Sequence, residues 1–255
     1  MTKPRVIAIS SQKGGVAKTT TCIALGAELA ASGKRVLIVD MDPQGHLSEG
    51  LGISAPALPS EISKVLDHQV AISDILIEVR PNLVLAPSNI HLAHLENYLI
   101  TRTRREDRLK QALEPIQGDF DIILVDCPPS LGILTVNALS VANEILIPMA
   151  AEFYAMLGVS LLLDTVAEMR RELNPKLQIT GILPTRVDRT NHAADVVQRV
   201  RDELPDIRIF ASPIPQAVAV RDATAAGVPL REFAPDSPAT KAYADLAQEL
   251  LSDES

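Results

Sequence analysis

Short apolar runs alternate along the chain with longer segments in which apolar residues recur every three to four positions. The runs cover residues 5–10, 35–39, 83–86, 121–125, 144–148, 178–183 and 207–210. Runs of this length separated by helical periodicity predict parallel strands joined by crossover helices. Several runs are apolar at every position, as at 122–125, which is typical of strands covered on both faces. The pattern therefore predicts an α/β fold, with a doubly wound, mainly parallel sheet and helices on both faces.

The helical segments have recognisable ends. We expect helices over residues 18–31, 131–141, 158–173, 193–204 and 238–251. Gly33, Asn174-Pro175 and Pro205 follow three of these segments, and such residues commonly end helices. Because the chain contains no internal repeat and no low-complexity linker, we expect a single domain over residues 1–255.

Composition and charge limit the possible surroundings of the protein. No apolar run approaches the roughly 20 residues that a membrane-spanning helix needs, and the N-terminal run is too short for a signal peptide. The last ten residues are acidic, whereas a membrane-surface helix would be basic and amphipathic. The net charge of −8 excludes a uniformly basic surface but allows a local basic patch. We expect a cytoplasmic protein that does not bind membranes.

The first predicted strand leads into the segment Lys13-Gly14-Gly15-Val16-Ala17-Lys18-Thr19-Thr20, and an apolar helix follows it. In a strand-loop-helix unit of this kind, backbone N–H groups and the helix N-terminus bind phosphates. Lys18 would then contact the β- and γ-phosphates, and the Thr19 hydroxyl would ligate Mg²⁺. The usual glycine-rich consensus has glycines where Gln12 and Ala17 stand here, so this is a variant loop. A positive φ at Ala17 would cost about 1–2 kcal/mol.

Three aspartates follow predicted strands. Asp40 and Asp42 come after the second, and Asp126 after the fourth. Open α/β sheets bind ligands at these carboxyl ends, and Asp126 has the position of a Walker B residue that holds magnesium through a water molecule. An aspartate after a strand can also simply cap a helix. Three aspartates in register with a phosphate loop favour the magnesium and nucleotide role.

The loop resembles that of the ParA/MinD family of deviant P-loop ATPases, x-K-G-G-x-x-K-[ST], at every fixed position from Lys13 to Thr19. The resemblance implies ATP and Mg²⁺ as cofactors and a nucleotide-dependent homodimer in which Lys13 reaches the partner's nucleotide. It also implies that Asp42 positions the attacking water and that Asp40 supports Lys18 and the magnesium shell. Catalysis would then rest on Lys13, Lys18 and Asp42, and slow hydrolysis would be stimulated by a ParB-like partner.

The resemblance extends over nearly the whole chain. Residues 152–158 resemble the family's AEYYALEG segment, and residues 181–188 resemble GILxTxxD. Residues 213–216 stand where the family's IPRN segment contacts adenine, which implies nucleotide contacts by Pro213, Pro215 and Gln216. Since no helix-turn-helix precedes the phosphate loop, the chain is most similar to the short partition ParA proteins.

Partition proteins of this branch bind double-stranded DNA non-specifically as ATP dimers. The candidate DNA-binding residues here are Arg186, Arg189, Arg199, Arg201 and Arg221, with Arg208 in the same region. An exposed arginine can equally be a solvated surface residue. The family commonly has P-R-N-V-R-L-x-E-A where residues 215–223 are PQAVAVRDA, so two expected basic positions are absent.

Three functional hypotheses follow. The leading one is a nucleoid-associated ATPase for chromosome or plasmid partition, which forms an ATP-sandwich dimer on DNA and is released by partner-stimulated hydrolysis. The second is an adaptor that positions another cargo with the same switch but without DNA. The third is a metabolic or redox enzyme on this scaffold, such as the iron protein of nitrogenase or a small-molecule synthetase. Cys22, inside the first helix, and Cys127, next to Asp126, are poorly placed for a shared iron–sulfur cluster.

Overall fold

A computed structural model describes residues 3–54, 57–152, 155–188 and 191–253. Within these ranges, the strands are β1 (Arg5–Ile9), β2 (Val36–Asp40), β3 (Ile77–Arg80), β4 (Leu83–Ala86), β5 (Ile122–Asp126), β6 (Glu144–Ala150) and β7 (Gln178–Thr185). They form one sheet in the order β3-β4-β2-β5-β1-β6-β7. Only the pairing of β3 with β4 is antiparallel. The predicted doubly wound, mainly parallel sheet is confirmed.

Two strand predictions need correction. The pattern misses β3, because this four-residue edge strand alternates Ile77 and Val79 with charged residues and is only partly buried. The strand predicted over 207–210 is wrong, since this segment pairs with β7 through one isolated bridge between Ile182 and Ile209. An apolar run forms a strand only where a neighbour offers a continuous ladder of hydrogen bonds.

The helices in the described ranges are α1 (Lys18–Ala31), α2 (His46–Gly50), α3 (Ile62–Leu66), α4 (His91–Leu99), α5 (Arg108–Leu113), α6 (Ile133–Val141), α7 (Ala155–Glu172), α8 (Asn191–Glu203), α9 (Val218–Ala226), α10 (Leu230–Phe233) and α11 (Pro238–Ser252). The five predicted helices are all present, with ends within three residues of those expected. Six further helices, of four to nine residues, were not predicted, and most of them present only one or two turns of periodicity.

The sheet has a hydrophobic core on each face. Val6 and Ala8 of β1 belong to one core, whereas Ile7 and Ile9 belong to the other, as the two-residue repeat of a strand requires. All four side chains are almost fully buried, which explains why residues 6–9 are all apolar. Each large aliphatic side chain buried in this way contributes about 1.5–3 kcal/mol to the free energy of unfolding.

In the part of the chain that the structure describes, no helix is long and apolar enough to cross a membrane.

Candidate nucleotide site

The site lies where the central strands end. Asp126 of β5 pairs with Ile9 of β1 on one side and with Asp40 of β2 on the other. Because these strands are parallel, the phosphate loop that follows β1 and the two aspartates meet at the same edge of the sheet. The sequence predicts this arrangement, because the phosphate loop and the two aspartates each follow an apolar run.

The phosphate loop contains two residues with left-handed backbone conformation. Gly15 has φ +73°, and Ala17 has φ 67° and ψ 32°. Since Ala17 has a Cβ atom, its conformation costs about 1–2 kcal/mol relative to glycine. Neighbouring elements hold the loop in place: the buried Thr185 hydroxyl at the end of β7 donates a hydrogen bond of 3.0 Å to the Val16 carbonyl. The loop therefore stores backbone strain at the position where the common consensus has glycine.

Lys18 is buried at the first turn of α1, with 7% of its surface exposed. Its Nζ donates a hydrogen bond of 3.2 Å to the Lys13 carbonyl. Burial lowers the pKa of the Lys18 ammonium, and the nearby Asp126 carboxylate partly opposes this shift. A phosphate bound in the loop would supply the additional negative charge that a buried ammonium needs.

Asp126 and Thr19 fit a magnesium ion. Asp126 is fully buried; its Oδ2 accepts a hydrogen bond of 2.7 Å from the Thr19 hydroxyl, and its Oδ1 has no hydrogen-bond partner among the described residues. Burial and the neighbouring Asp40 raise the pKa of Asp126 well above its ordinary value. Magnesium would satisfy the unpaired oxygen, and it typically binds one or two protein oxygens together with phosphate and water.

Asp40 is also fully buried, but its oxygens are engaged with the chain that follows β2. Oδ1 accepts a hydrogen bond of 3.1 Å from the Asp42 backbone, and Oδ2 accepts one of 2.9 Å from the Ser48 hydroxyl. Burial raises the pKa of Asp40 to about 7. In this structure Asp40 organises residues 42–48, and its predicted role in the magnesium shell stays a prediction.

Asp42 is half-buried and lines the cavity beside the phosphate loop. Its Oδ1 accepts a hydrogen bond of 2.9 Å from the Gln44 backbone N–H, which fixes the carboxylate at the start of the turn. A carboxylate oriented toward the cavity from this turn fits the predicted task of positioning a water molecule.

Lys13 is directed away from that cavity. Its ammonium forms an ion pair with Glu152, just after β6, and the lysine is not among the cavity-lining residues. Glu152 Oε1 also lies 3.7 Å from Arg186 Nη1, and Arg186 donates a hydrogen bond of 3.1 Å to the Gly15 carbonyl. Lys13, with Arg186 as a smaller contributor, holds the pKa of Glu152 below its ordinary value. Sequence reasoning missed this cluster, because residues 13, 152 and 186 are distant along the chain.

The cavity has a volume of about 670 Å³. The phosphate-loop residues that line it are Gly14, Gly15, Ala17, Lys18, Thr19 and Thr20. Pro215, Gln216 and the buried Tyr243 line it as well, among other residues. Pro213 is exposed and does not line the cavity, so its predicted nucleotide contact has no support in this geometry. The loop residue Val16 is buried and likewise does not line the cavity.

The described candidate DNA-binding arginines have different surroundings. Arg186 and Arg221 line the nucleotide cavity. Arg199 and Arg201 are exposed on α8 but two positions apart, so they point to different sides of the helix. Arg208 is paired with Glu249 and Asp253. Arg189 lies outside the described residues. The assignment of these arginines to DNA stays a prediction.

The acidic residues of the same region are as numerous as the arginines. Residues 186–222 contain six arginines and six carboxylates, so their net charge is zero. The carboxylates are Asp188, Asp195, Asp202, Glu203, Asp206 and Asp222. Any basic surface must therefore come from how side chains are distributed on the fold rather than from an excess of charge.

A variant phosphate loop after the first strand, a buried lysine, and a threonine–aspartate pair suited to magnesium define this fold as a P-loop nucleoside triphosphatase. A family model described as an AAA domain matches residues 4–179. Soj, the sporulation initiation inhibitor protein of Bacillus subtilis, is 42% identical over 96% of this chain and 98% of its own length. The chromosome partitioning protein ParA of Caulobacter vibrioides is 39% identical over 98% of this chain and 95% of its own. The chain belongs to the ParA/MinD family of P-loop ATPases.

A solved structure with the same fold carries a different name. Cobyrinic acid a,c-diamide synthase from Mycobacterium smegmatis, with bound ATP analogue and magnesium, superposes with a TM-score of 0.87 at 40% identity. The match covers 97% of this chain and 94% of that one. Its ligands agree with the predicted cofactors, whereas its name describes synthesis rather than partition.

Proposed function

We propose that this protein is a Mg²⁺-dependent ATPase that acts as a switch in chromosome or plasmid partition. ATP would join two copies into a dimer that binds double-stranded DNA non-specifically, and hydrolysis stimulated by a ParB-like protein would release it. The name of the relative ParA, a chromosome partitioning protein, supports the partition role. The switch would act on the nucleoid.

The residues of the cavity would divide the chemistry of ATP hydrolysis among them. Thr19 and Asp126 would hold Mg²⁺, which neutralises charge on the phosphate oxygens when it is bound. Lys18 and the loop N–H groups would bind the β- and γ-phosphates, and Asp42 would orient the attacking water. Phosphoryl transfer depends mainly on such positioning and charge stabilisation, so no covalent intermediate with the protein is needed.

The observation that carries the dimer is the position of Lys13. The Lys13 ammonium is partly exposed and lies outside its own cavity, and it would exchange its ion pair with Glu152 for the nucleotide of a second subunit. The predicted catalytic role of Lys13 therefore requires a partner copy, which would bring its own nucleotide to this ammonium.

Light scattering after size exclusion tests the dimer. With ATP and Mg²⁺, wild type and Asp42→Ala should both dimerise, and only wild type should hydrolyse ATP. Lys13→Ala should bind nucleotide as a monomer, whereas Lys176→Ala, an exposed lysine remote from the cavity, should behave as wild type. Asp42→Ala remaining monomeric with ATP would contradict the proposed switch.

DNA binding is tested by retention of duplex DNA with and without ATP. Non-specific binding should require ATP and weaken steeply with salt, because phosphate contacts release counterions. Combined substitution of Arg199 and Arg201 by alanine should reduce retention without changing ATP turnover.

The zero net charge of residues 186–222 favours a second candidate, an adaptor that positions a non-DNA cargo with the same ATP switch. No DNA retention at low salt, together with an intact ATP-dependent dimer, would support the adaptor. The name of the M. smegmatis structure supports a third candidate, a synthetase. ATP turnover that requires a small carboxylic acid and is unaffected by DNA would support that one.

A further inference from the structure

Residues at the end of β7, which is joined to the end of β6, form hydrogen bonds with the phosphate loop. Thr185, the last residue of β7, donates a hydrogen bond to the Val16 carbonyl, and Arg186, the next residue, donates one to the Gly15 carbonyl. The two strand ends are themselves joined, since the Ala151 N–H donates to the Thr185 carbonyl at 3.2 Å. The adjacent residues Thr185 and Arg186 therefore fix the adjacent loop carbonyls of Val16 and Gly15.

The backbone at Arg186 is strained. Its φ is 53°, in the left-handed region that residues with a Cβ atom rarely adopt. Such strain persists only where the surrounding structure imposes it, and it concentrates at functional sites. In this conformation the Arg186 guanidinium reaches the Gly15 carbonyl and lines the nucleotide cavity.

Glu152 links this arginine to Lys13. One carboxylate oxygen forms the ion pair with Lys13, and the other lies 3.7 Å from Arg186. Arg186 therefore contacts the loop directly at Gly15 and, through Glu152, affects the residue two positions earlier. Both contacts are made by Nη1, which donates a hydrogen bond to the Gly15 carbonyl and lies at ion-pair distance from the Glu152 carboxylate.

We propose that Arg186 is a positioning residue of the nucleotide site, which fixes the phosphate loop through the Gly15 carbonyl and holds Glu152 beside Lys13. This inference rests on the proposed ATP site. It assigns Arg186 to nucleotide binding, whereas the sequence pattern suggested DNA.

The matched variants Arg186→Ala and Arg186→Gly test the proposal. Both lack the guanidinium, so both should bind a fluorescent ADP analogue with magnesium about 3- to 10-fold more weakly than wild type, the range expected for a partly exposed charged hydrogen bond. They differ in backbone strain, so the glycine variant should melt about 2–4 °C above the alanine variant without nucleotide. Arg171→Ala, which removes an exposed arginine of α7, should bind the analogue as wild type does.

Steady-state kinetics add a readout that loss of folding would not produce. The glycine variant should show a raised KM for ATP with kcat changed less than twofold, since Arg186 acts on the loop and not on the reacting atoms. Arg186→Lys should recover only part of the affinity, because it keeps the positive charge but its ammonium ends a shorter side chain than the guanidinium.

The possible results distinguish failure of the proposed ATPase function from failure of the role proposed for Arg186. If wild type binds no nucleotide, the proposed ATPase function itself fails. If wild type binds and the glycine variant binds equally well, only the role of Arg186 is overturned. If substitution of Arg186 leaves nucleotide affinity unchanged and abolishes DNA retention, Arg186 contributes to DNA binding and the inference is refuted.

Discussion

Substituting Ala17 by glycine should make the protein more stable, although the same substitution in most places makes proteins less stable. Ala17 has φ 67°, a conformation that costs a residue with a Cβ atom about 1–2 kcal/mol and costs glycine nothing. Glycine increases the entropy of the unfolded chain, which offsets about 0.4–1 kcal/mol of that gain. The net stabilisation is about 1 kcal/mol, and in a protein of this size it raises the Tm by about 2–4 °C.

The measurement is thermal unfolding of the nucleotide-free protein, because bound nucleotide would add stability by mass action. Ala167→Gly provides the matched control, since Ala167 is an exposed residue within the regular part of α7. There glycine should lower the free energy of unfolding by about 0.5–1 kcal/mol. The two substitutions remove the same methyl group and should shift the Tm in opposite directions.

A fall in Tm for Ala17→Gly similar to that of the control would refute the reasoning, because it would mean that the loop stores no strain at this position. Affinity for ATP should be retained in the variant, since glycine is the residue that the common phosphate loop has here. Loss of affinity together with increased stability would indicate that the Ala17 methyl group helps to hold the loop in its binding conformation.

Two further substitutions test neighbouring contacts. Asp126→Asn should raise the Tm of the magnesium-free protein, because it removes a fully buried carboxylate whose Oδ1 lacks a hydrogen-bond partner in the described structure. The same substitution should abolish magnesium-dependent ATP turnover. An unchanged turnover would exclude Asp126 from the metal site. Thr185→Val should lower the free energy of unfolding by about 1–3 kcal/mol, because the Val16 carbonyl loses its buried donor. Thr185→Ser should keep the hydrogen bond and most of the stability. Equal stability of the two variants in urea or thermal unfolding would mean that this bond contributes little.

The nucleotide site could be predicted from the sequence largely because its parts are local. One apolar strand leads into the loop that carries Lys18 and another ends at Asp126, and parallel strands bring their carboxyl ends to one edge. The long helices were equally predictable, since each presents several turns of apolar periodicity. Six shorter helices and β3 were not, because most of them carry only one or two turns or four strand residues of pattern, although the nine-residue α6 was predicted.

The sequence by itself therefore predicted a mainly parallel sheet, five of the helices, the phosphate loop, and Thr19 and Asp126 as candidates for binding magnesium. Only the tertiary structure decided that Ala17 is strained, that segment 207–210 forms no strand, and that Arg186 faces the nucleotide loop. Only it joined Lys13 to Glu152. These features depend on contacts between residues far apart in the chain, and such contacts leave no periodic or adjacent pattern from which one sequence could reveal them.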